Sequence, residues 1–457
     1  MTNEQSRRAF LKRSAALSAV GAAGPFALSL GAIGEAAAAA TPADYKALVC
    51  VFLFGGNDYA NTLPPYDPTN YAAYANLRQG IAHARSTLDA TALTPSVALA
   101  GGAQYALAPN LAPLLPIFNA GRMAVVLNVG TLVQPTTKAQ YTARSVPLPP
   151  KLFSHNDQQS FWQASNPEGA ISGWGGRIGD LMQAGNGSAS LTCITATGNA
   201  VFLSGRTAVQ YAVSTAGPIA LNGNSTTVFG SSTANSVLRS MISANRSHLL
   251  EAEHTRVTKR SLDLYAQVSG ALGGAPTLTS SFPTGNSLAD QLRTVARLIS
   301  VASELGVRRQ VFFVSTGGFD THDSLLAVHP GLMTRVADAM RAFYDTTVAL
   351  GVADKVTTFT GSDFGRTLLI NGDGSDHGWG SHHFVMGGAV NGGRFYGTPP
   401  AVANNGPDDV GQGRLLPGIS VDQYAATMAS WFGVSATDMA TVLPSIGNYS
   451  TRNLGFV

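Results

Sequence analysis

The residues of this chain that could do chemistry are gathered into a few short, glycine-rich stretches. Gly55-Gly56-Asn57-Asp58 is followed by Asn61 and Thr62, and Thr316-Gly317-Gly318-Phe319-Asp320-Thr321-His322-Asp323 lies far downstream. Gly361-Ser362-Asp363-Phe364-Gly365-Arg366 and Asp376-His377-Gly378-Trp379-Gly380-Ser381-His382-His383 complete the set. Five of the nine histidines, at 322, 329, 377, 382 and 383, fall within 62 residues. Carboxylates and imidazoles without thiolates are donors for zinc, manganese, magnesium or iron. The flanking glycines let the backbone approach closely and leave a pocket open. Each piece also has a plainer reading. An aspartate after a strand is commonly a turn former or a helix N-cap, which would account for Asp58 or Asp363 alone. An isolated His322 would be a surface residue, and Arg366 would either hold an anionic group or solvate a loop. Taken together, the clusters favour a metal or polar active site over coincidence.

Strand ends are what would bring these stretches together. Five apolar runs read as buried parallel strands: Ala47–Phe54, Met123–Val129, Leu191–Thr197, Gln310–Ser315 and Lys355–Thr360. Helical patterns lie between them, over Ala112–Ala120, Gly173–Ala184, Asn235–Ala271, Ser287–Leu305 and Gly331–Leu350. Strand alternating with helix predicts an α/β fold, a mainly parallel sheet with helices on both faces. Ligands collect beyond the carboxyl ends of such strands. The first, fourth and fifth runs deliver Asp58, Asp320 and Asp363 there. Loop insertions are expected at the Ser/Thr/Asn/Gly-rich segment Ser214–Ser236 and at Val146-Pro-Leu-Pro-Pro150.

Composition narrows the class. Of 457 residues only 12% are charged, about half the usual density, and 45% are apolar. A formal charge of +3 argues against a nucleic-acid binder that works by neutralising phosphates. The two cysteines, Cys50 and Cys193, each sit in an apolar run and read as buried free thiols. Ser6-Arg7-Arg8-Ala9-Phe10-Leu11-Lys12 has the form of a twin-arginine export signal, followed by an Ala/Gly/Leu stretch and Ala-x-Ala cleavage choices between Ala36 and Ala40. Residues 1–40 are therefore expected to be a removable signal and 41–457 a single mature domain. The mature chain would be exported by the twin-arginine translocase to the periplasm or beyond, with no stable membrane span after cleavage. No Gly-x-Ser-x-Gly elbow, P-loop or dinucleotide fingerprint is present.

Phe54-Gly-Gly-Asn-Asp58 with Asn61 and Pro64, Ser154-His155-Asn-Asp157-Gln158, Gly318-Phe-Asp-Thr-His-Asp323, Ser362-Asp-Phe-Gly-Arg366, Asp376-His-Gly-Trp-Gly380 and Gly387-Gly-Ala-Val-Asn-Gly-Gly393 occur in that order. Over nearly the whole mature chain the pattern resembles a family of exported bacterial proteins of unknown function, itself similar to the alkaline phosphatase/sulfatase superfamily. The resemblance implies an alkaline phosphatase-like fold and metal-dependent hydrolysis of phosphate- or sulfate-type esters. It implies divalent metal ions, zinc or manganese and up to two of them, and a small anionic ester or polymer as substrate. Asp58 would be the first-strand ligand, Asp320 and His322 a paired ligand motif, and Asp363 a further ligand. Asp376 and His377 would follow, with His382 behind them. Phe364 stands where the superfamily has a ligand histidine, and Asp376-His377-Gly378 would supply it. Ser154 or Thr62 would be the nucleophile, with Arg366 steadying developing charge. Ser154-x-x-Asp157 reads equally well as a capping-box-like helix start. The alternative is a non-catalytic exported binding or assembly protein on the same fold, which Phe364 and the unassigned nucleophile favour.

Overall fold

The strands that the apolar runs predict form the middle of one ten-stranded sheet. The computed structural model describes residues 45–221 and 227–457. The expected signal, residues 1–40, lies outside them, as does the centre of the 214–236 segment. In chain order the strands are β1 (Lys46–Leu53), β2 (Met123–Gly130), β3 (Cys193–Thr195), β4 (Tyr211–Ser214), β5 (Gly217–Pro218), β6 (Arg309–Thr316), β7 (Val356–Ser362), β8 (Arg366–Asn371), β9 (Gly374–His377), β10 (Ser381–Gly387), β11 (Arg394–Tyr396) and β12 (Ile419–Ser420). The sheet runs β11-β2-β10-β7-β1-β6-β3-β4-β5, with β12 also on β2. β1 pairs in parallel with β6 on one side and β7 on the other, and β3 continues in parallel beyond β6. β10 lies antiparallel between β7 and β2, so β2 points the same way as the other four.

The helices used below are α1 (Tyr59–Thr62), α2 (Pro68–Leu77), α3 (His155–Ala164), α4 (Trp174–Met182), α5 (Ser232–Ser243), α6 (Leu249–Gly273), α7 (Ser287–Ser300), α8 (Leu325–Ala349) and α9 (Val421–Phe432). Alternation along the strands divides the core in two. Val49, Val51, Phe312 and Val314 face α7 and α8, whereas Leu48, Cys50, Phe52 and Phe313 face α4 and α9. The sheet is thus covered on both faces, and β1 and β7 are almost wholly buried. Cys50 and Cys193 are both buried and free. The expected helix over 235–271 is two helices, α5 and α6, and α8 starts earlier than expected and runs through Pro330.

The apolar runs do not include β4, β5 or β8 to β12, seven of the twelve strands among the described residues. β10 is entirely buried although it opens Ser381-His382-His383. β8 and β9 form an antiparallel ribbon off the main sheet, over residues for which no element was expected. This ribbon carries much of the candidate site.

Candidate metal centre

Four elements deliver the site. Asp320 and His322 lie in the loop after β6, and Asp363 is the first residue past β7. The ribbon supplies Arg366, Asp376 and His377, and His155 is the first residue of α3. Two glycines permit the close approach of these pieces. A Cβ on Gly55, at φ +117°, would come within 2.4 Å of the Asp320 backbone nitrogen. A Cβ on Gly374 would stand 2.1 Å from the carbonyl oxygen of His322, so the ribbon packs directly on that loop.

Two imidazole nitrogens and one carboxylate, those of His155, His377 and Asp320, meet closely enough to share one ion, and His322 borders them beside Asp320 and His377. His377 Nε2 lies 3.1 Å from His155 Nε2, 2.9 Å from His322 Nε2 and 3.2 Å from Asp320 Oδ1. Asp320 Oδ1 is 3.1 Å from His322 Nε2, and its Oδ2 is 3.4 Å from His155 Nε2. Donors on a tetrahedral ion with bonds of about 2.0–2.1 Å stand about 3.3 Å apart, so these separations match the edges of a coordination shell.

The far side of each ring fixes what its near side offers. His155 Nδ1 is 2.6 Å from Asp363 Oδ2, His322 Nδ1 is 3.2 Å from Asp376 Oδ1, and His377 Nδ1 is 2.8 Å from the carbonyl oxygen of Phe153. Carboxylates and carbonyls only accept, so each Nδ1 donates its proton outward and each Nε2 presents a lone pair inward. Lone pairs facing each other at 2.9 and 3.1 Å repel unless a cation or a shared proton lies between them. The residues therefore fit a divalent metal, and a nitrogen–oxygen set without thiolate suits zinc or manganese.

Electrostatics agree with this arrangement. The hydrogen bond to Asp363 raises the pKa of His155 against the opposing effect of burial. Burial lowers that of His377, with the Phe153 carbonyl opposing. Burial pushes Asp320 up, but the hydrogen bond and charge of Arg366 outweigh it and leave the carboxyl below its usual value. Asp363 is buried, and its Oδ2 also accepts the Gly55 N–H at 3.1 Å and the Gln159 amide at 2.8 Å. Side-chain exposures of 24–45% for His155, His322, His377 and Asp320 leave one side of the cluster open to solvent.

The residues singled out in the sequence fall into distinct places. Asp320, His322 and His377 face the centre. Asp363 and Asp376 stand one step back, each holding an imidazole from behind. Asp58 is a correction to the expected ligand set: it is fully buried, caps α1 at Asn61 N–H and pairs with Arg78 at 2.5 Å. His382 is another, because β10 takes it into the core, where Nδ1 accepts the Asn128 N–H at 3.0 Å. Its ring lies against Tyr59 and Tyr105, and burial pushes its pKa down to about 3. Thr62 is also buried, its hydroxyl donating to the Asp58 carbonyl at 2.7 Å and lying 3.5 Å from His329. Arg366 is fully buried and binds Asp320 at 2.6 Å, so it orients a carboxylate rather than meeting an anion from solvent. Ser154 is the N-cap of α3 by position, yet its hydroxyl reaches the Asp157 side chain at 3.0 Å instead of a backbone N–H.

His155, Gln159 and Ser375 were not anticipated. His155 stood beside the Ser154 that was weighed as nucleophile or cap, so the signal was present. Phe364 completes the picture, with its ring 4.9 Å from His155 and 4.8 Å from His377. It is the wall against which two imidazoles from other elements are packed.

The chain belongs to the DUF1501 family, described as a protein of unknown function, whose match spans residues 45–440. No curated protein matches it. Among solved structures it is similar to Ps i-CgsB in complex with k-i-k-neocarrahexaose, at 10% identity over 87% of this chain and 74% of that one, TM-score 0.35. It is similar to the lipoteichoic acid synthase LtaP from Listeria monocytogenes at 7% identity, 87% and 74% coverage, TM-score 0.32. A third, BT33494S-sulf, from work on glycosaminoglycan metabolism by Bacteroides thetaiotaomicron, shows 11% identity, 91% and 77% coverage, TM-score 0.36. These superpositions are loose, and the case for the site rests on its own geometry.

Proposed function

We propose that this member of the DUF1501 family is an exported, metal-dependent hydrolase of phosphate- or sulfate-type esters. His155, His377 and Asp320 would hold zinc or manganese, with His322 at the edge of the set. The observation that carries the reading is the outward bonding of the three Nδ1 atoms, which turns each Nε2 towards the set formed by His155, Asp320 and His377. When bound, the ion would polarise an ester oxygen and lower the pKa of a hydroxyl. The chain's own groups supply the rest. Arg366 holds Asp320 in place, and the open side of the cluster admits substrate. Ser154, partly exposed and bonded to the Asp157 carboxylate, is the candidate nucleophile, because Thr62 is sealed in the core. The twin-arginine pattern supports export, and among the described residues no helix is long and apolar enough to cross a membrane.

Metal analysis of protein exported and purified without chelators tests this, with turnover of chromogenic phosphate, sulfate and phosphodiester substrates. We expect about one equivalent of zinc or manganese per chain, lost in His377→Ala. Metal-free wild type that takes up neither ion on addition would end the reading. A second reading, a metal-holding protein without catalysis, is favoured by Phe364, which puts an apolar ring against His155 and His377 where a ligand histidine would stand. Stoichiometric metal with no turnover on any of the three substrate classes would support it.

A further inference from the structure

Asp58, Arg78 and Ser375 take no part in the cluster, yet all three are fully buried next to it. Arg78 caps the C-terminus of α2 and uses every branch of its guanidinium. Nε donates to Asn61 Oδ1 at 3.1 Å, Nη1 to the carbonyls of Thr367 and Leu368 at 3.0 and 3.2 Å, and Nη2 to Asp58 Oδ2 at 2.5 Å. Asp58 Oδ2 also accepts the Ser375 hydroxyl at 2.7 Å. Arg78 thus grips β8 and Asp58 grips β9, so one buried ion pair holds both strands of the ribbon. The chain of contacts continues. The carbonyl of Ser375 accepts from Arg366 Nη2, and Arg366 Nη1 donates to Asp320 Oδ1 at 2.6 Å.

We infer that Arg78–Asp58–Ser375–Arg366–Asp320 is a positioning relay that sets the carboxylate of the metal centre and the ribbon that carries His377. The inference rests on the metal reading above. Stability alone does not explain the arrangement, because a buried ion pair is often no more stabilising than apolar packing of the same volume. What distinguishes this pair is its direction. Its contacts run along β8 and β9 and end on the one carboxylate in the cluster, whose oxygens lie within 3.1–3.4 Å of all three imidazoles. Loss of the Ser375 hydroxyl removes the hydrogen bond that ties Asp58 to β9. The ribbon can then shift against the His322 loop, and Arg366 shifts with it.

Ser375→Ala isolates the relay, because it deletes one hydroxyl and leaves every charged group in place. Cobalt and zinc titrations of the full mature chain, with the cobalt absorption band as a geometric readout, would compare it with wild type, Ser375→Thr and Thr91→Val. Thr91 bonds the Leu88 and Leu107 carbonyls with a buried hydroxyl outside the relay, so its variant matches the stability loss alone. Removing support behind a ligand costs about 10–100-fold in metal affinity, and for this longer lever we expect about tenfold with an altered cobalt band. Ser375→Thr should recover most of it, and Thr91→Val should bind as wild type. If Ser375→Ala does not fold, Arg78→Lys, which keeps the charge on Asp58 but loses the β8 carbonyl bonds, should show the same weakening. Wild-type affinity and spectrum in Ser375→Ala, or equal weakening in Thr91→Val, overturn the relay while the metal reading stands. Absence of metal binding in wild type overturns both.

Discussion

Asp363→Asn tests the metal centre with the least change of shape. The native Oδ2 receives three donors, the Gly55 N–H at 3.1 Å, His155 Nδ1 at 2.6 Å and the Gln159 amide at 2.8 Å. The oxygen of the asparagine must therefore take that place, and its NH₂ falls where Oδ1 now lies buried without a partner. An unsatisfied buried donor costs about 1–3 kcal/mol of stability. The bond to His155 becomes neutral, so the imidazole is a poorer ligand, and affinity should fall about 10–100-fold, or about 1.4–2.7 kcal/mol. The pH dependence follows from the sign of the shift. Asp363 raises the pKa of His155 in the metal-free protein, so in wild type a proton competes with the ion up to a higher pH. The variant lowers that pKa and relieves the competition. Its deficit should therefore be widest at the alkaline end, above the raised pKa of His155, and narrow as pH falls through the histidine range. Competition titrations against a chromophoric chelator across this range read the effect directly. An unchanged affinity at the alkaline end, or a deficit that widens as pH falls, would refute the reasoning.

Further outcomes are expected. Burial holds His329 at a pKa of about 4 and His382 and His383 at about 3, below their unfolded values of about 6.5. Their neutral forms stabilise the fold above that value, and about 3–5 kcal/mol per imidazole is lost as pH falls through the window; denaturant titrations by circular dichroism should show it, and a fold equally stable at about pH 4 and about pH 7 would contradict it. Asp422 runs the other way, because burial raises its pKa to about 6 against the lowering hydrogen bond of Ser165. Stability should fall by about 2–3 kcal/mol between about pH 4 and pH 6, and Asp422→Asn should remove that component, read as the difference between the two chemical denaturation profiles. Gly374→Ala should push the ribbon off the His322 carbonyl, weakening metal binding and lowering stability by about 1–3 kcal/mol in calorimetry. Ser154→Ala should cut turnover at least about 100-fold while metal content by elemental analysis stays at the wild-type level.

The sheet was readable because its strands are buried on both faces and so appear as apolar runs with turn residues after them. The same logic hid β10. His382 and His383 point to opposite sides of the sheet, one against Tyr59 and Tyr105 and the other against Trp162 and Tyr424. Apolar periodicity cannot reveal an interior imidazole whose polar atoms are satisfied locally. The ribbon was missed for a different reason, since β8 and β9 satisfy each other and lie off the main sheet. Three residues of the candidate site were legible because Asp-x-His and Asp-His place donors next to one another in sequence. Asp58 misled because its environment is set by Arg78, twenty residues on, at the end of a separate helix. Motif spacing records where a carboxylate is, and a distant cation decides what it can bind.

Asp320 carries a conflict that bears on what the site can do. Its Oδ1 is 2.6 Å from Arg366 Nη1 and also 3.1 Å and 3.2 Å from two imidazole nitrogens. Oδ1 cannot serve a guanidinium and an ion at full strength, because each draws on the same lone pairs. Held by Arg366 through Oδ1, the carboxylate leaves Oδ2, 3.4 Å from His155 Nε2, to face an ion. Arg366 would thus orient the proposed ligand rather than withdraw it. Arg366 is itself fixed by the Ser375 and Gly55 carbonyls, and burial lowers its pKa against the opposing pull of Asp320. How firmly the proposed relay keeps Arg366 on its carboxylate would therefore set how well Oδ2 is aimed at a bound ion.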